Sequence, residues 1–115
     1  LIYARSRVVH AAASAGLDVI DVPYLNLQDL DGMCDEAKKA KDLGFAGKGS
    51  VHPKQIAALN DIFTPSKDNI TRARRVIKTF EDADTGLVVI DGKLIEKPVM
   101  REMYRIVAIA DKLGK

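Results

Sequence analysis

The chain has 115 residues, 47% of them hydrophobic, with 18 Lys and Arg against 16 Asp and Glu, which leaves room for one small core and no second domain. Its formal net charge of +2 is too small to argue for a nucleic acid or an anionic membrane as partner. Cys34 is the one cysteine and cannot close an internal disulfide, no Cys/His cluster has zinc-ligand spacing, and no run of about 18 apolar residues could span a bilayer, so the composition points to a soluble protein of a reducing, cytoplasmic setting.

Leu1 is not an initiator methionine, and Ile2-Tyr3-Ala4-Arg5 opens without a lead-in, which predicts sequence upstream. Residues Tyr3 to Ala15 are alanine-rich, with Val8, Val9 and Ala12 on one stripe and Gly16 as terminator: a first helix. Leu17 to Val22 alternates apolar and acidic residues before Pro23, a strand running into a loop. Asp29 or Asp31 can cap a second helix whose apolar face is Leu30, Met33, Ala37 and Ala40 and which ends at Gly44. Phe45 to Val51 is a glycine-punctuated second strand, and Pro53 opens a third helix carrying Ile56, Leu59 and Phe63. Ser66 caps a fourth helix with the stripe Ile70, Ala73, Val76, Ile77 and Phe80. Leu87 to Ile90 and Lys93 to Ile95 flank Asp91-Gly92, a dipeptide suited to a two-residue type I′ hairpin because both positions need positive φ. Pro98 starts a last helix with Met100, Met103, Val107, Ala110 and Leu113 at helical spacing.

Helix, strand, helix, strand, helix is the order of a parallel α/β layer, because parallel strands need helical crossovers. Two strands cannot make a sheet that covers itself, and a complete (β/α)₈ barrel takes roughly 250 residues. The chain therefore reads either as the last units of such a barrel with an extension, or as a unit that borrows strands from a partner.

Four segments carry a resemblance: Tyr3-Ala4-Arg5-Ser6, Gly16 to Tyr24, Leu43 to Ile56 and Gly92 to Val99. In this order, and over nearly the whole chain, they resemble the C-terminal portion of the citrate lyase β-subunit family, which belongs with malyl-CoA and citramalyl-CoA lyases in the HpcH/HpaI aldolase superfamily. The resemblance implies an α/β fold in which residues 1–82 are the last βα units of a (β/α)₈ TIM-type barrel. Leu17 to Val22 would be the seventh strand and Phe45 to Val51 the eighth, and residues 83–115 a hairpin and helix extension. It also implies Mg²⁺-dependent cleavage of a carbon–carbon bond in a 3-hydroxyacyl-CoA of the citryl, malyl or citramalyl type, giving acetyl-CoA and an oxo acid. The partners implied are the acyl-CoA and other copies of the chain in a homo-oligomer, a trimer among the options, with no nucleic acid or membrane. The family's magnesium carboxylates and its substrate arginine lie on earlier strands, so the resemblance puts no metal ligand in these residues and implies an inactive fragment.

Glu96 falls at the acidic position of the extension, where many relatives carry Asp. In related lyases that residue, placed over a neighbouring subunit's barrel mouth, is associated with protonating the acetyl-CoA enolate. The additional methylene of Glu moves the carboxylate by about 1.5 Å; the competing reading is a solvated charge at a hairpin exit. Asp21, Tyr24, Gly47, Lys48 and His52 are the candidates for binding substrate or CoA at the barrel's C-terminal rim. Each has a plain alternative or a weak signal. Gly47-Lys48-Gly49 could cradle a phosphate but lacks P-loop spacing. Asp21 could instead bond Arg5 or Lys48, and His52 a nearby backbone group at a helix entry. Arg72, Arg74 and Arg75 could bind phosphate or RNA, but with Asp68 and Glu81 on the same helix they fit a solvated face better. A non-catalytic module binding acyl-CoA or a subunit is the alternative function.

Overall fold

The computed structural model describes residues 1–115, the side chain of Pro98 aside. It divides into two compact units, Leu1–Thr64 and Pro65–Lys115.

The first unit runs α1 (Ile2–Ser14), β1 (Ile20–Asp21), α2 (Leu30–Leu43), β2 (Gly47–Lys48), a 3₁₀ turn (Pro53–Gln55) and α3 (Ile56–Phe63). Strands β1 and β2 pair in parallel, Ile20 opposite Gly47 and Asp21 opposite Lys48, with α2 as the crossover. Helix α2 begins where Asp29 accepts a hydrogen bond from Gly32 N–H and stops where Gly44 turns left-handed at φ 107°, the standard exits for a helix whose last carbonyls need partners. Its buried face, Met33 and Ala37, meets Leu59 of α3, and Tyr24, Cys34, Ala58, Ile62 and Phe63 pack around them.

The second unit runs α4 (Lys67–Ala83), β3 (Leu87–Ile90), β4 (Lys93–Glu96) and α5 (Lys97–Lys112). Ser66 caps α4 through Asn69 N–H. The antiparallel pair has the register Leu87 with Glu96 through Ile90 with Lys93, closed by Asp91 at φ 51° and Gly92 at φ 75°, as a type I′ turn requires. Ala73, Val76, Ile90, Ile95, Met100 and Met103 form its core.

The expectation of one core is therefore corrected to two. Chain length bounds how much apolar surface can be buried, not how it divides: the stripe of α2 is covered by α3, that of α4 by the hairpin and α5. The packing boundary at Thr64 and Pro65 places α4 with the hairpin, whereas the sequence grouped residues 1–82. The two parallel strands are shorter than their patterns predict, although Ala46 N–H to Val19 O (2.8 Å) and Gly49 N–H to Asp21 O (2.9 Å) carry the ladder one step further at each end. No residue of α1 is fully buried: Val9 and Ala12 of the predicted stripe are partly buried, and Val8 remains half exposed. Among the described residues no helix is long and apolar enough to cross a membrane.

Candidate functional site

Period-two alternation decides what the parallel strands offer. Ile20 and Val22 stand exposed on one side, while Asp21 and Lys48, directly opposite each other, turn inward and are buried. The Lys48 ammonium has three protons, and each finds an acceptor: Glu36 Oε2 at 2.6 Å, Val22 O at 2.8 Å and Asp21 Oδ2 at 2.9 Å. Asp21 Oδ2 also accepts from Arg5 at 2.8 Å, and that guanidinium lies 5.5 Å from the centre of the Phe45 ring. Two cations and two carboxylates thus form a neutral cluster linking α1, both strands and α2, which is how buried charge is tolerated.

Of the two readings of Asp21, the structure shows the ion pairs with Arg5 and Lys48. The expected contact of Lys48 with a phosphate meets a different geometry. Its side chain has no exposed surface and its protons are committed, so it acts as a strut beneath the strand ends. Beside Gly47 there is open space. Glu36 was missed; its signal is a carboxylate at the margin of the Met33, Ala37 and Ala40 stripe, where burial calls for a cation.

Tyr24 follows β1 and donates from its hydroxyl to Asp29 Oδ2 at 2.7 Å, while Asp29 Oδ1 accepts from Gly32 N–H at 2.9 Å. A Cβ on Gly32 would lie 2.1 Å from Asp29 Oδ2 and 2.5 Å from the Tyr24 hydroxyl, so only glycine leaves this pair intact. The hydrogen bond to Asp29 raises the Tyr24 pKa, helped by burial and by the charges of Asp29, Glu36 and Asp35. The same bond, with Gly32 N–H, lowers that of Asp29. The lowered carboxyl contributes stability that is present above its unfolded pKa and is lost as pH falls through the folded value. The raised phenol contributes stability that is present below tyrosine's ordinary pKa of about 10 and is lost as pH rises through the folded value. Tyr24→Phe should remove the alkaline loss and shrink the acid one, read as melting temperature against pH. An unchanged profile at both ends would contradict the pairing.

His52 caps the 3₁₀ turn: its Nδ1 accepts from Lys54 N–H at 3.0 Å, which is the backbone bond foreseen as its alternative. Because Nδ1 is an acceptor, the ring proton of the neutral form sits on Nε2 of the half-exposed imidazole. Beneath it Gln55, 3% exposed, donates from Nε2 to Tyr24 O at 2.9 Å and accepts at Oε1 from Val51 N–H at 3.1 Å. The sequence reading missed Gln55, whose amide gives no pattern distinguishing it from a surface residue.

Glu96 ends β4 and stands at the N-cap of α5 without a capping hydrogen bond. Its register partner is Leu87, and Val89 is opposite Leu94; directly opposed residues share a face. Glu96 therefore sits at the edge of a face whose other members, Leu87, Val89 and Leu94, are all more than half exposed. Two of the three clustered arginines pair with acidic partners in the second unit, Arg74 with Asp111 at 3.0 Å and Arg75 with Asp91, while Arg72 lies 4.0 Å from Met103 Sδ. Among the described residues no group of three His, Cys, Asp or Glu side chains is arranged to hold a metal ion.

Residues 1–53 match the family described as HpcH/HpaI aldolase/citrate lyase. The citrate lyase subunit beta of Leuconostoc mesenteroides subsp. cremoris is 32% identical over 114 residues, covering 96% of this chain and 38% of the relative. The mitochondrial citramalyl-CoA lyase of Rattus norvegicus is 32% identical over 116 residues, covering 98% and 34%. Among solved structures, the CitE protein of Mycobacterium tuberculosis, in complex with magnesium, acetoacetate and coenzyme A, superposes with a TM-score of 0.77 at 27% identity, covering 95% of this chain and 40% of that one. The chain thus spans well under half the length of the relatives it matches, and its architecture is the last βα units of a (β/α)₈ barrel followed by a hairpin and helix extension. By family, residues 1–53 match the HpcH/HpaI aldolase/citrate lyase model, and nearly the whole chain is similar to the C-terminal part of citrate lyase β subunits and citramalyl-CoA lyases.

Proposed function

We propose that the chain is part of an acyl-CoA lyase that cleaves a carbon–carbon bond of a 3-hydroxyacyl-CoA of the citryl, malyl or citramalyl type, yielding acetyl-CoA and an oxo acid. The observation that carries this reading is the match of nearly all of the chain to a citrate lyase subunit and to a citramalyl-CoA lyase. In such a cleavage the hydroxyl proton leaves as the carbonyl of the oxo acid forms, the electrons of the broken bond pass to the acetyl carbon, and that carbon takes up a proton. Glu96 is the residue to which we assign the transfer of that proton, as its carboxylate makes no capping bond and stands on an uncovered face. A second copy of the chain, in a homo-oligomer such as a trimer, is the partner this reading places against the apolar hairpin face. Tyr24, His52 and the open space beside Gly47 are assigned to binding the acyl-CoA, and Asp21 and Lys48 to holding the strand ends beneath them. The setting is cytoplasmic, where Cys34 stays reduced.

Magnesium enters this reading from the related CitE structure, which contains it. The residues present do not fit it: no three-donor group is formed among the described residues, and the buried carboxylate of Asp21 is already matched by Arg5 and Lys48. The ion's ligands would come from outside these 115 residues. That donor set is also what favours the second reading, a non-catalytic module that binds acyl-CoA or another subunit.

The 115-residue chain by itself should not cleave citryl-, malyl- or citramalyl-CoA in excess Mg²⁺, whereas the whole protein should cleave at least one of them. Turnover by the chain alone would overturn the division of labour, and a whole protein that binds acyl-CoA without cleaving it would favour the module.

A further inference from the structure

The two loops that leave β1 and β2 are joined by a single side chain. Gln55 is almost fully enclosed, and its orientation is fixed by its partners: the nitrogen must face Tyr24 O, which only accepts, and the oxygen must face Val51 N–H, which only donates. The Ser50 hydroxyl, with its one proton, can donate to Gln55 Oε1 at 3.1 Å while its oxygen accepts from His52 N–H at 3.4 Å. One planar amide therefore reaches Tyr24 directly and His52 through Ser50. Among the described residues every buried side-chain nitrogen and oxygen has a partner, and both ends of this amide are engaged, so displacing either loop breaks a buried hydrogen bond.

We propose that Gln55 is a positioning residue that fixes Tyr24 relative to His52 and so sets the shape of the acyl-CoA binding rim, an inference that rests on the ligand roles assigned above to those two residues. An enclosed amide with both ends bonded to backbone is suited to this task. It holds two loops at one separation without touching the ligand, and errors of the order of 1 Å in such separations can cost about a hundredfold in rate.

Two substitutions in the whole protein separate the links. Gln55→Glu keeps the acceptor toward Val51 and loses the donor toward Tyr24; Ser50→Ala cuts only the branch to His52 and buries nothing new. Hydrogen exchange should rise over residues 22–28 in Gln55→Glu with little change over 49–55, and over 49–55 alone in Ser50→Ala. The KM for the acyl-CoA should rise about tenfold in Gln55→Glu and about threefold in Ser50→Ala, with kcat within about threefold of the parent in both, the signature of lost ground-state positioning. Lower melting temperature with unchanged KM and no loop-selective exchange in either variant would reduce Gln55 to a packing residue and overturn the proposal. If Gln55→Glu does not fold, Ser50→Ala alone decides in the same way. Should the whole protein cleave none of the acyl-CoAs while the exchange pattern appears as described, the lyase reading fails and the coupling of the loops stands.

Discussion

Lys48→Met should destabilise the whole protein by about 3 kcal/mol, the lower end of the cost of removing one partner from a buried ion pair. The choice of the lower end follows from the geometry. Asp21 keeps Arg5 at 2.8 Å, and Glu36, whose side chain is 41% exposed, can turn toward water. What remains uncompensated is mainly Val22 O, left without its donor beneath the strand end. Asp21→Asn combined with Lys48→Met should restore part of the loss, because the cluster is then closer to neutral, and the two changes should be clearly non-additive. A urea titration followed by circular dichroism measures this as a lower midpoint at constant slope. An unchanged midpoint for Lys48→Met would mean that the cluster holds nothing together.

Glu96→Gln should lower kcat at least about tenfold, with KM and stability nearly unchanged, since a positioned acid or base contributes ~10²–10⁴-fold and the isosteric amide cannot transfer the proton. Stability is expected to hold because the carboxylate makes no capping bond and lies on an exposed face. Glu96→Asp should retain activity or raise it if the shorter acid reproduces the position occupied in relatives. Steady-state kinetics with the acyl-CoA that the protein turns over provide the check. A parent-like rate in Glu96→Gln would make this carboxylate a solvated charge and move the proton donor outside the extension.

The helices and the hairpin were legible in the sequence because their signals are local. Ser66 and Asp29 cap the helices they precede, and Asp91-Gly92 adopts the two positive φ angles its turn requires. The two parallel strands were placed but their extents were not, since a run such as Phe45 to Val51 says where extended chain is favoured but not how many of its groups meet a neighbour; only Gly47 and Lys48 form the strand, opposite Ile20 and Asp21. The charged cluster was half legible. Arg5 and Lys48 were foreseen as partners of Asp21, whereas Glu36 comes from the helix packed across the strands, a placement no spacing along the chain specifies. Gln55 was hidden because its importance lies in the three backbone and hydroxyl groups that fold around it. The surroundings of Glu96 needed the hairpin register, which aligns it with Leu87 and sets Val89 and Leu94 on the same uncovered face.

The most direct test of the lyase assignment is the identity of the products when the whole protein, with Mg²⁺, is given citryl-, malyl- and citramalyl-CoA in turn and the reaction is resolved by chromatography and mass spectrometry. Acetyl-CoA accumulating in equal amount with the matching oxo acid, from at least one of the three, is the expected result. Free coenzyme A with the intact hydroxy acid, or no consumption of any of them, would contradict it.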